Sequence, residues 1–299
     1  MKKYLPSSKT IINKSSLCVL TAALLILCFS GRVDENLPRS VSLNYPIILV
    51  HGIARNDNKR QSHTWGRIPD VLTRNGAQVF FGRTDAWGTI TSNGELLKKT
   101  IDKVLKETNS EKVNIIAHSK GGIDARFCIW RFNYGHKVAS LTTIATPHYG
   151  SEIADLIYDS NIIHSYTARK NFVSLGGLFG DEHPNMYAVS YELTQENMSE
   201  FSANVTADSR VHYQSIYVSM NEPTNDMTFY NTYKYIKEKS GNNDGMVSEK
   251  SAAWGSNTKK INSPLSHEQV IDKDRNLAVD IYVPHIYLTI ARELSARGF

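Results

Sequence analysis

The sequence predicts a parallel α/β fold for the main part of the chain. From residue 40 onward, short apolar segments of strand length alternate with longer segments of helical pattern. A chain of 299 residues with 41% hydrophobic residues is also long enough to bury a substantial core. No internal repeat or low-complexity tract interrupts this pattern, which excludes disordered, collagen-like and repeat-array proteins.

The predicted strands are mostly apolar, as expected for strands that are buried on both faces of a sheet. They cover residues 46–50, 78–82, 113–117, 140–145 and 212–219, and helices are predicted at 68–75, 93–108, 120–132 and 284–297. Between residues 150 and 211 the alternation is lost, and an apolar stretch follows at 172–179. We interpret this region as an insertion above the sheet rather than as a second domain.

The first 31 residues have the layout of a secretory signal. A basic segment of sixteen residues precedes fourteen apolar residues at 17–30, which is short of the roughly 20 residues needed for a permanent transmembrane helix. Because Cys28, Phe29 and Ser30 form no clean cleavage site, an uncleaved N-terminal anchor is the alternative. The sequence thus predicts a signal peptide or anchor at 1–31, and a body at 32–299 that is secreted, periplasmic or held in the cell envelope.

Most of the excess positive charge belongs to this N-terminal segment. The first 31 residues contain four lysines and no acidic residue, so they contribute +4 to the net charge of +5 and the rest of the chain carries +1. A nearly neutral body without a clustered basic face disfavours nucleic acid as a partner. Cys18 and Cys28 also lie in the segment and leave only Cys128, so no disulfide can form within the body.

Residues 113–122 predict a strand that ends in a serine and turns at once into a helix. A serine on such a tight turn needs small residues two positions before and after it, and Ala117 and Gly121 provide them around Ser119. The helix N-terminus would also stabilise a developing oxyanion. Ser119 is therefore the candidate nucleophile. The alternative is a serine that merely caps the helix, which leaves the paired glycines unexplained.

In residues 45–53, the apolar strand predicted at 46–50 is followed directly by His51 and Gly52. The glycine allows the loop to turn so that the next backbone N–H points back over the sheet. We therefore predict the backbone N–H groups of Ile53 and Lys120 as the two oxyanion donors. His51 could instead be a base or a metal ligand, although a histidine in this position is more often structural.

A serine hydroxyl needs an imidazole to accept its proton and a carboxylate to fix the imidazole tautomer. After a nucleophile of this kind the order along the chain is serine, acid, histidine. His267 lies in a turn-rich loop, and Asp244 lies in an Asn-Asp-Gly turn between Ser119 and that histidine. His285 begins an amphipathic helix and is the less suitable base. The order therefore favours Ser119, Asp244 and His267.

Several segments together resemble the secreted bacterial triacylglycerol lipases of the Pseudomonas and Burkholderia type, in the α/β-hydrolase superfamily. The similar segments are residues 45–52, 65–69, 76–79, 113–122, 142–150, 243–247 and 266–267. The resemblance implies an α/β-hydrolase fold with a mainly parallel sheet flanked by helices. It implies Ser119 as nucleophile, Asp244 as acid and His267 as base, and a helical lid within about 150–211 over an acyl-binding cleft.

The chain also departs from the pattern of this family. Ala117 stands where glycine is commoner, and the cysteines that form a disulfide in many relatives are absent. The relatives bind a structural calcium ion through two aspartates, one of them shortly after the catalytic histidine. Here Glu268 or Asp272 would have to serve, with Asp226 as the upstream partner.

These observations predict a triacylglycerol lipase that works at a lipid–water interface and uses no cofactor for its chemistry. A short-chain carboxylesterase or a phospholipase without interfacial activation is the alternative. A catalytically silent hydrolase-like protein that binds lipid or a partner is a third interpretation, since a fold alone does not establish chemistry. The acyl-chain length, the head group and the need for a secretion chaperone stay open.

Overall fold

The computed structural model describes residues 41–57, 63–160, 180–273 and 281–299. These residues contain one six-stranded sheet, whose neighbouring strands are all parallel. The strands are β1 (Ile47–Val50), β2 (Val79–Phe81), β3 (Val113–His118), β4 (Val138–Ile144), β5 (His212–Ser219) and β6 (Thr258–Pro264). Their order in the sheet is β2-β1-β3-β4-β5-β6. The predictions for residues 1–31 and 172–179 lie outside the described residues.

The five predicted strands are confirmed, with ends that differ from the prediction by at most two residues. Strand β6 was not predicted from the sequence. It lies at the edge of the sheet, and its polar residues, including Lys259 and Lys260, are mostly exposed. Charged residues are typical of edge strands, because they discourage pairing with other chains. Such a strand lacks the apolar run on which the prediction depended.

Nine α-helices connect and cover these strands within the described residues. They are α1 (Ile68–Arg74), α2 (Ile90–Thr108), α3 (Lys120–Arg131), α4 (Glu152–Asp159), α5 (Met186–Glu192), α6 (Gln195–Asn204), α7 (Tyr230–Ser240), α8 (Glu249–Ala252) and α9 (Pro284–Ala296). The four predicted helices are α1, α2, α3 and α9. Helix α2 begins three residues earlier than predicted, because the Thr89 side chain caps it by accepting a hydrogen bond from the Ser92 N–H.

Helices pack on both faces of the sheet. Ile47 and Leu49 of β1 join a cluster on one face, and the intervening Ile48 and Val50 join a cluster on the other, as the alternation of side chains along a strand requires. The first cluster includes Ile68 and Leu72 of α1 and Tyr287 of α9, and the second includes Leu97 and Ile101 of α2 and Ala125 and Ile129 of α3. This arrangement confirms the α/β fold class.

The longest connection in the sheet joins β4 to β5 and contains α4, α5 and α6. A third apolar cluster binds this connection to the body, since Ile123 of α3 packs with Val189, Leu193 and Met198. Of the predicted insertion at about 150–211, the structure describes residues 150–160 and 180–211. Within the described residues, no helix has both the length and the apolar character required to cross a bilayer.

Candidate active site

The site lies where β1 and β3 end side by side. Val50 of β1 pairs in parallel register with Ala117 of β3, so the residues that follow the two strands meet at the same edge of the sheet. Strand β1 is also where the strand order reverses, with β2 on one side of it and β3 on the other. Ligands in open α/β sheets bind in the crevice at such a reversal, beyond the carboxyl ends of the strands.

Ser119 occupies a strained turn between β3 and α3. Its φ of 53° and ψ of −133° lie outside the regions that residues with a side chain usually adopt. Two glycines make this turn sterically accessible. A Cβ on Gly121 would lie 2.4 Å from the carbonyl oxygen of His51, and a Cβ on Gly52 would lie 2.6 Å from the Cβ of Ser119. Both positions therefore require glycine.

Two backbone N–H groups, those of Ile53 and Lys120, belong to residues next to Gly52 and Ser119 in the chain. The N–H of Lys120 belongs to the first residue of α3, and that of Ile53 follows Gly52 in the neighbouring loop. Neither group donates a hydrogen bond to an acceptor among the described residues. Both are thus available to an oxyanion formed beside Ser119, and the helix N-terminus adds positive potential there.

Ser119, His267 and Asp244 form a continuous chain of hydrogen bonds. The Ser119 Oγ lies 2.9 Å from Nε2 of His267, and Nδ1 of His267 lies 2.7 Å from Oδ2 of Asp244. All three side chains are buried, with relative exposures of 7%, 7% and 1% for Ser119, His267 and Asp244. The structure therefore brings together the three residues that the order along the chain selected.

Asp244 is held by its own turn. Its Oδ1 accepts hydrogen bonds from the backbone N–H groups of Met246 and Val247, which leaves Oδ2 directed at His267. The backbone N–H of His267 in turn donates to the Asp244 carbonyl oxygen over 2.9 Å. Asp244 and His267 are consequently fixed to each other by a backbone hydrogen bond as well as by a side-chain hydrogen bond.

His118 is a second histidine at the site that the sequence analysis did not single out. Its Nε2 donates to the carbonyl oxygen of His267 over 2.9 Å, and the two rings lie 4.7 Å apart. Burial is the main reason that the pKa of His118 lies well below its usual value, and electrostatic repulsion between the two imidazoles acts in the same direction, so the His118 ring is neutral. His118 supports the loop that carries His267. The contact spans 149 positions along the chain, and no local pattern could indicate it.

The Lys120 side chain points into the protein. It is 1% exposed, and its Nζ donates to Oδ1 of Asp124 one helical turn later, over 2.6 Å. The other oxygen of Asp124 accepts from Nδ2 of Asn93 on α2. Nearby, burial raises the pKa of Glu192 to about 7, although the Lys120 ammonium group acts in the opposite direction. A buried charged network thus lies directly beneath the candidate nucleophile.

Replacing Lys120 by methionine is expected to lower the free energy of unfolding by about 3–5 kcal/mol, because it leaves the Asp124 carboxylate buried without a counter-charge. The double variant K120M/D124N removes both charges and is expected to recover most of this loss. Lys103 and Glu107 form an exposed pair with the same spacing, so K103M is a matched control that should cost about 0.5 kcal/mol or less. Urea unfolding measures the free energy of unfolding of K120M, K120M/D124N and K103M. Equal losses of stability for K120M and K103M would contradict the prediction.

An apolar cavity of about 230 Å³ opens beside Ser119 and His267. Its wall is formed by α4 and α5 and by the loops after β1 and before α7. The lining apolar side chains include Ile53, Trp87, Ile153, Ile157, Met186, Val189, Leu193 and Phe229. Arg55 and Glu268 are the charged residues that line it, and they form an ion pair with each other. The cavity therefore suits an uncharged hydrocarbon chain.

The three candidate calcium ligands do not fit a calcium ion. The Asp272 carboxylate is bound by the Arg67 guanidinium, with Nε–Oδ2 and Nη2–Oδ1 distances of 2.8 and 2.5 Å. Glu268 pairs with Arg55 and Lys273, and Asp226 accepts from the Ser266 hydroxyl. Within the described part of the chain, no group of three His, Cys, Asp or Glu side chains is arranged to hold a metal ion.

The sequence left open whether His51 acts as a base, binds a metal or is structural. Its contacts are those of a structural residue. Its side chain is buried, and its Nδ1 and Nε2 lie 2.7 and 3.0 Å from the carbonyl oxygens of Gly52 and Thr84. These contacts fix the loop that carries Ile53. The ring is fully engaged with the backbone and is not directed at Ser119.

The chain is similar in sequence to proteins named triacylglycerol lipase. A family model described as a PGAP1-like alpha/beta domain matches residues 86–234. Triacylglycerol lipase 2 of Saccharomyces cerevisiae is 27% identical over 284 residues, which cover 84% of this chain and 83% of the yeast protein. A triacylglycerol lipase of Vibrio cholerae is 38% identical over 113 residues, but this match covers only 38% of this chain and 36% of the bacterial protein.

The fold has a counterpart among solved structures. The metagenomic carboxyl esterase MGS0156 superposes with a TM-score of 0.68 at 16% sequence identity, over 89% of this chain and 80% of the esterase. At this identity the likeness concerns the fold. The predicted α/β-hydrolase fold is thereby confirmed, and the relatives agree with the resemblance found in the sequence.

Proposed function

Since the chain has an α/β-hydrolase fold and is similar in sequence to triacylglycerol lipases, we propose that it is a serine lipase that hydrolyses triacylglycerols through an acyl-enzyme on Ser119. One observation carries the proposal. The hydrogen-bonded chain from Ser119 through His267 to Asp244 lies at the edge of an apolar cavity. A nucleophile and a space for a hydrocarbon chain are both needed to cleave a fatty-acyl ester.

Acylation begins with Nε2 of His267, which lies 2.9 Å from the Ser119 Oγ. It accepts the hydroxyl proton as Oγ forms a bond to the ester carbonyl carbon. The N–H groups of Ile53 and Lys120 donate to the oxygen that becomes negatively charged. When the intermediate collapses, the bond to the alcohol oxygen breaks, and His267 gives its proton to that oxygen. The alcohol leaves, and the acyl group stays on Ser119.

Deacylation repeats these steps with water as the nucleophile. His267 accepts a proton from water as the water oxygen attacks the acyl carbon, and it returns a proton to the Ser119 Oγ as the fatty acid leaves. Asp244 stabilises the imidazolium that forms in both halves of the reaction, since its Oδ2 lies 2.7 Å from Nδ1 of His267. No cofactor is required for these steps.

The substrate proposal depends on the cavity wall. Ile153 and Ile157 of α4 and Met186 and Val189 of α5 line the space beside Ser119, and none of them offers a polar group to a substrate. Both helices belong to the connection between β4 and β5 in which the sequence predicts a lid. We retain that lid, within about residues 150–211, as part of the proposal.

Turnover of three substrate types tests the proposal. We expect the full-length chain to hydrolyse an emulsified long-chain triacylglycerol at a rate that rises steeply once the substrate exceeds its solubility limit. A short-chain p-nitrophenyl ester and a phosphatidylcholine vesicle are the comparison substrates. A preference for the soluble ester, with no rise at the solubility limit, would instead identify a carboxylesterase. A preference for the vesicle would identify a phospholipase, and no hydrolysis of any of the three would identify a silent binding protein.

Export across a membrane is part of the same proposal. It is supported by the basic segment and the fourteen apolar residues within positions 1–31. An emulsified lipid outside the cytoplasm is the substrate that such a protein would meet. Cleavage of this segment, with retention as an anchor as the alternative, and the participation of a secretion chaperone are separate parts of the export proposal.

A further inference from the structure

Hydrogen bonds between protein groups of the described residues hold the loop that carries His267. The Ser266 hydroxyl donates to Oδ2 of Asp226 over 2.6 Å. Oε1 of Gln269 accepts from the Ser266 backbone N–H over 3.0 Å, and its Nε2 donates to the Asn225 carbonyl oxygen over 3.3 Å. We call Asn225, Asp226, Ser266 and Gln269 the clasp. Ser266 has no exposed surface, and Gln269 is 9% exposed, so water does not compete strongly for these bonds.

The clasp connects the two parts of the chain that carry the base and the acid. Asn225 and Asp226 lie just before α7, the helix that leads to the Asp244 turn, and Ser266 and Gln269 flank His267. The Asp244–His267 distance of 2.7 Å depends on the relative position of these two parts. The clasp is therefore placed to position His267 with respect to Asp244.

The oxygen atoms of the clasp accept hydrogen bonds from protein groups and are not arranged as ligands of a cation. A calcium ion takes six to eight oxygen ligands, several of them carboxylates. The Asp226 carboxylate is bound here by a hydroxyl and by the Thr228 N–H, and the Asn225 carbonyl oxygen faces an amide N–H of Gln269. A positive group for the same loop comes from the protein, because Arg67 binds the fully buried Asp272.

We propose that the clasp is a metal-free substitute for the calcium site that the resemblance implied, and that Ser266 and Gln269 are positioning residues for His267. This inference rests on the proposed function, because it assigns the clasp to the hydrolytic histidine. Its metal-free character follows from the contacts of the clasp and applies to the folded protein whether or not a substrate is bound.

The first test compares Ser266→Ala with Ser263→Ala, a half-buried serine near the end of β6, just before this loop. Because a shift of about 1 Å in a reacting group costs up to about a hundredfold in rate, we expect S266A to lower kcat for a soluble p-nitrophenyl ester by at least about tenfold, with KM within twofold of the wild type. S263A should leave both constants unchanged. A fall in melting temperature without a change in kcat would mean a merely structural role and would overturn the positioning proposal.

The second test uses the melting temperature and does not depend on activity. For the wild-type chain we expect the same melting temperature in EDTA and in millimolar calcium chloride. Gln269→Glu keeps an oxygen for the Ser266 N–H but replaces the amide donor by a carboxylate near Asp226. We expect this variant to melt at a lower temperature in EDTA and to recover in calcium.

Two outcomes of the second test would overturn the metal-free clasp. One is a wild-type melting temperature that falls in EDTA, and the other is a Q269E variant that behaves like the wild type in both buffers. If the wild-type chain hydrolyses no ester, the proposed function fails, whereas the melting experiments still decide whether the clasp excludes metal. The two failures are therefore distinguishable.

Discussion

Replacing Ser119 by alanine is expected to lower kcat for ester hydrolysis by about six orders of magnitude and to leave the fold intact. The change removes the Oγ that lies 2.9 Å from His267 and hence the atom that carries the acyl group. It keeps the Cβ that packs against Gly52, and alanine at position 145 already adopts a positive φ in this protein. The measurements are turnover of a p-nitrophenyl ester and thermal unfolding.

A fluorophosphonate probe gives this prediction a readout that does not require turnover. The wild-type chain should be labelled on the peptide that contains Ser119, and the S119A variant should not be labelled. Ser110→Ala, in the loop between α2 and β3, is the matched control and should keep both labelling and turnover. Labelling or hydrolysis by folded S119A would exclude Ser119 as the nucleophile.

Replacing Asp244 by asparagine is expected to lower kcat at neutral pH by about four orders of magnitude, the scale known for this change in a serine protease. Oδ1 of Asp244 already accepts two backbone N–H groups, so the amide oxygen of asparagine would stay there. The amide NH₂ would then face Nδ1 of His267, which must become an acceptor. The imidazole would carry its proton on Nε2, facing Ser119, and could not accept the hydroxyl proton.

Comparing kcat of D244N, D70N and the wild type at one pH isolates the effect of the imidazole tautomer. D244N should unfold at nearly the wild-type temperature, because the substitution retains the two backbone hydrogen bonds of the turn. Asp70→Asn, at an exposed position on α1, is the control for the loss of one carboxylate. If D244N keeps more than about a tenth of the wild-type kcat, Asp244 does not orient His267 as argued here.

The sequence was most informative where the residue pattern is local. The strand, the serine and the glycines of the Ser119 turn are contiguous, and the order of serine, acid and histidine singled out Asp244 and His267. Strand β6 escaped prediction because an exposed edge strand has no apolar run. Helix α7 escaped because its residues are mostly polar, and only Tyr233 and Ile236 are buried.

The supporting contacts of the site could not be predicted for a different reason. His118 reaches the His267 carbonyl across the sheet, and Asn93 reaches Asp124 from another helix. The burial of the Lys120 side chain also depends on a tertiary contact, since a lysine is rarely buried unless it is paired. Such contacts depend on how distant segments meet, which neither periodicity nor motif spacing records.

The Ser119 turn and the cavity wall lie on different parts of the chain, and this separation affects which positions can change during evolution. Gly52 and Gly121 are constrained by direct backbone contact, so the chemical centre tolerates little change. The side chains of α4 and α5 line the cavity, and both helices lie in the connection between β4 and β5, outside the sheet. In the proposed lipase reaction, substitutions of Ile153, Met186 or Val189 can therefore alter the preferred acyl group while Ser119, Asp244 and His267 stay the same.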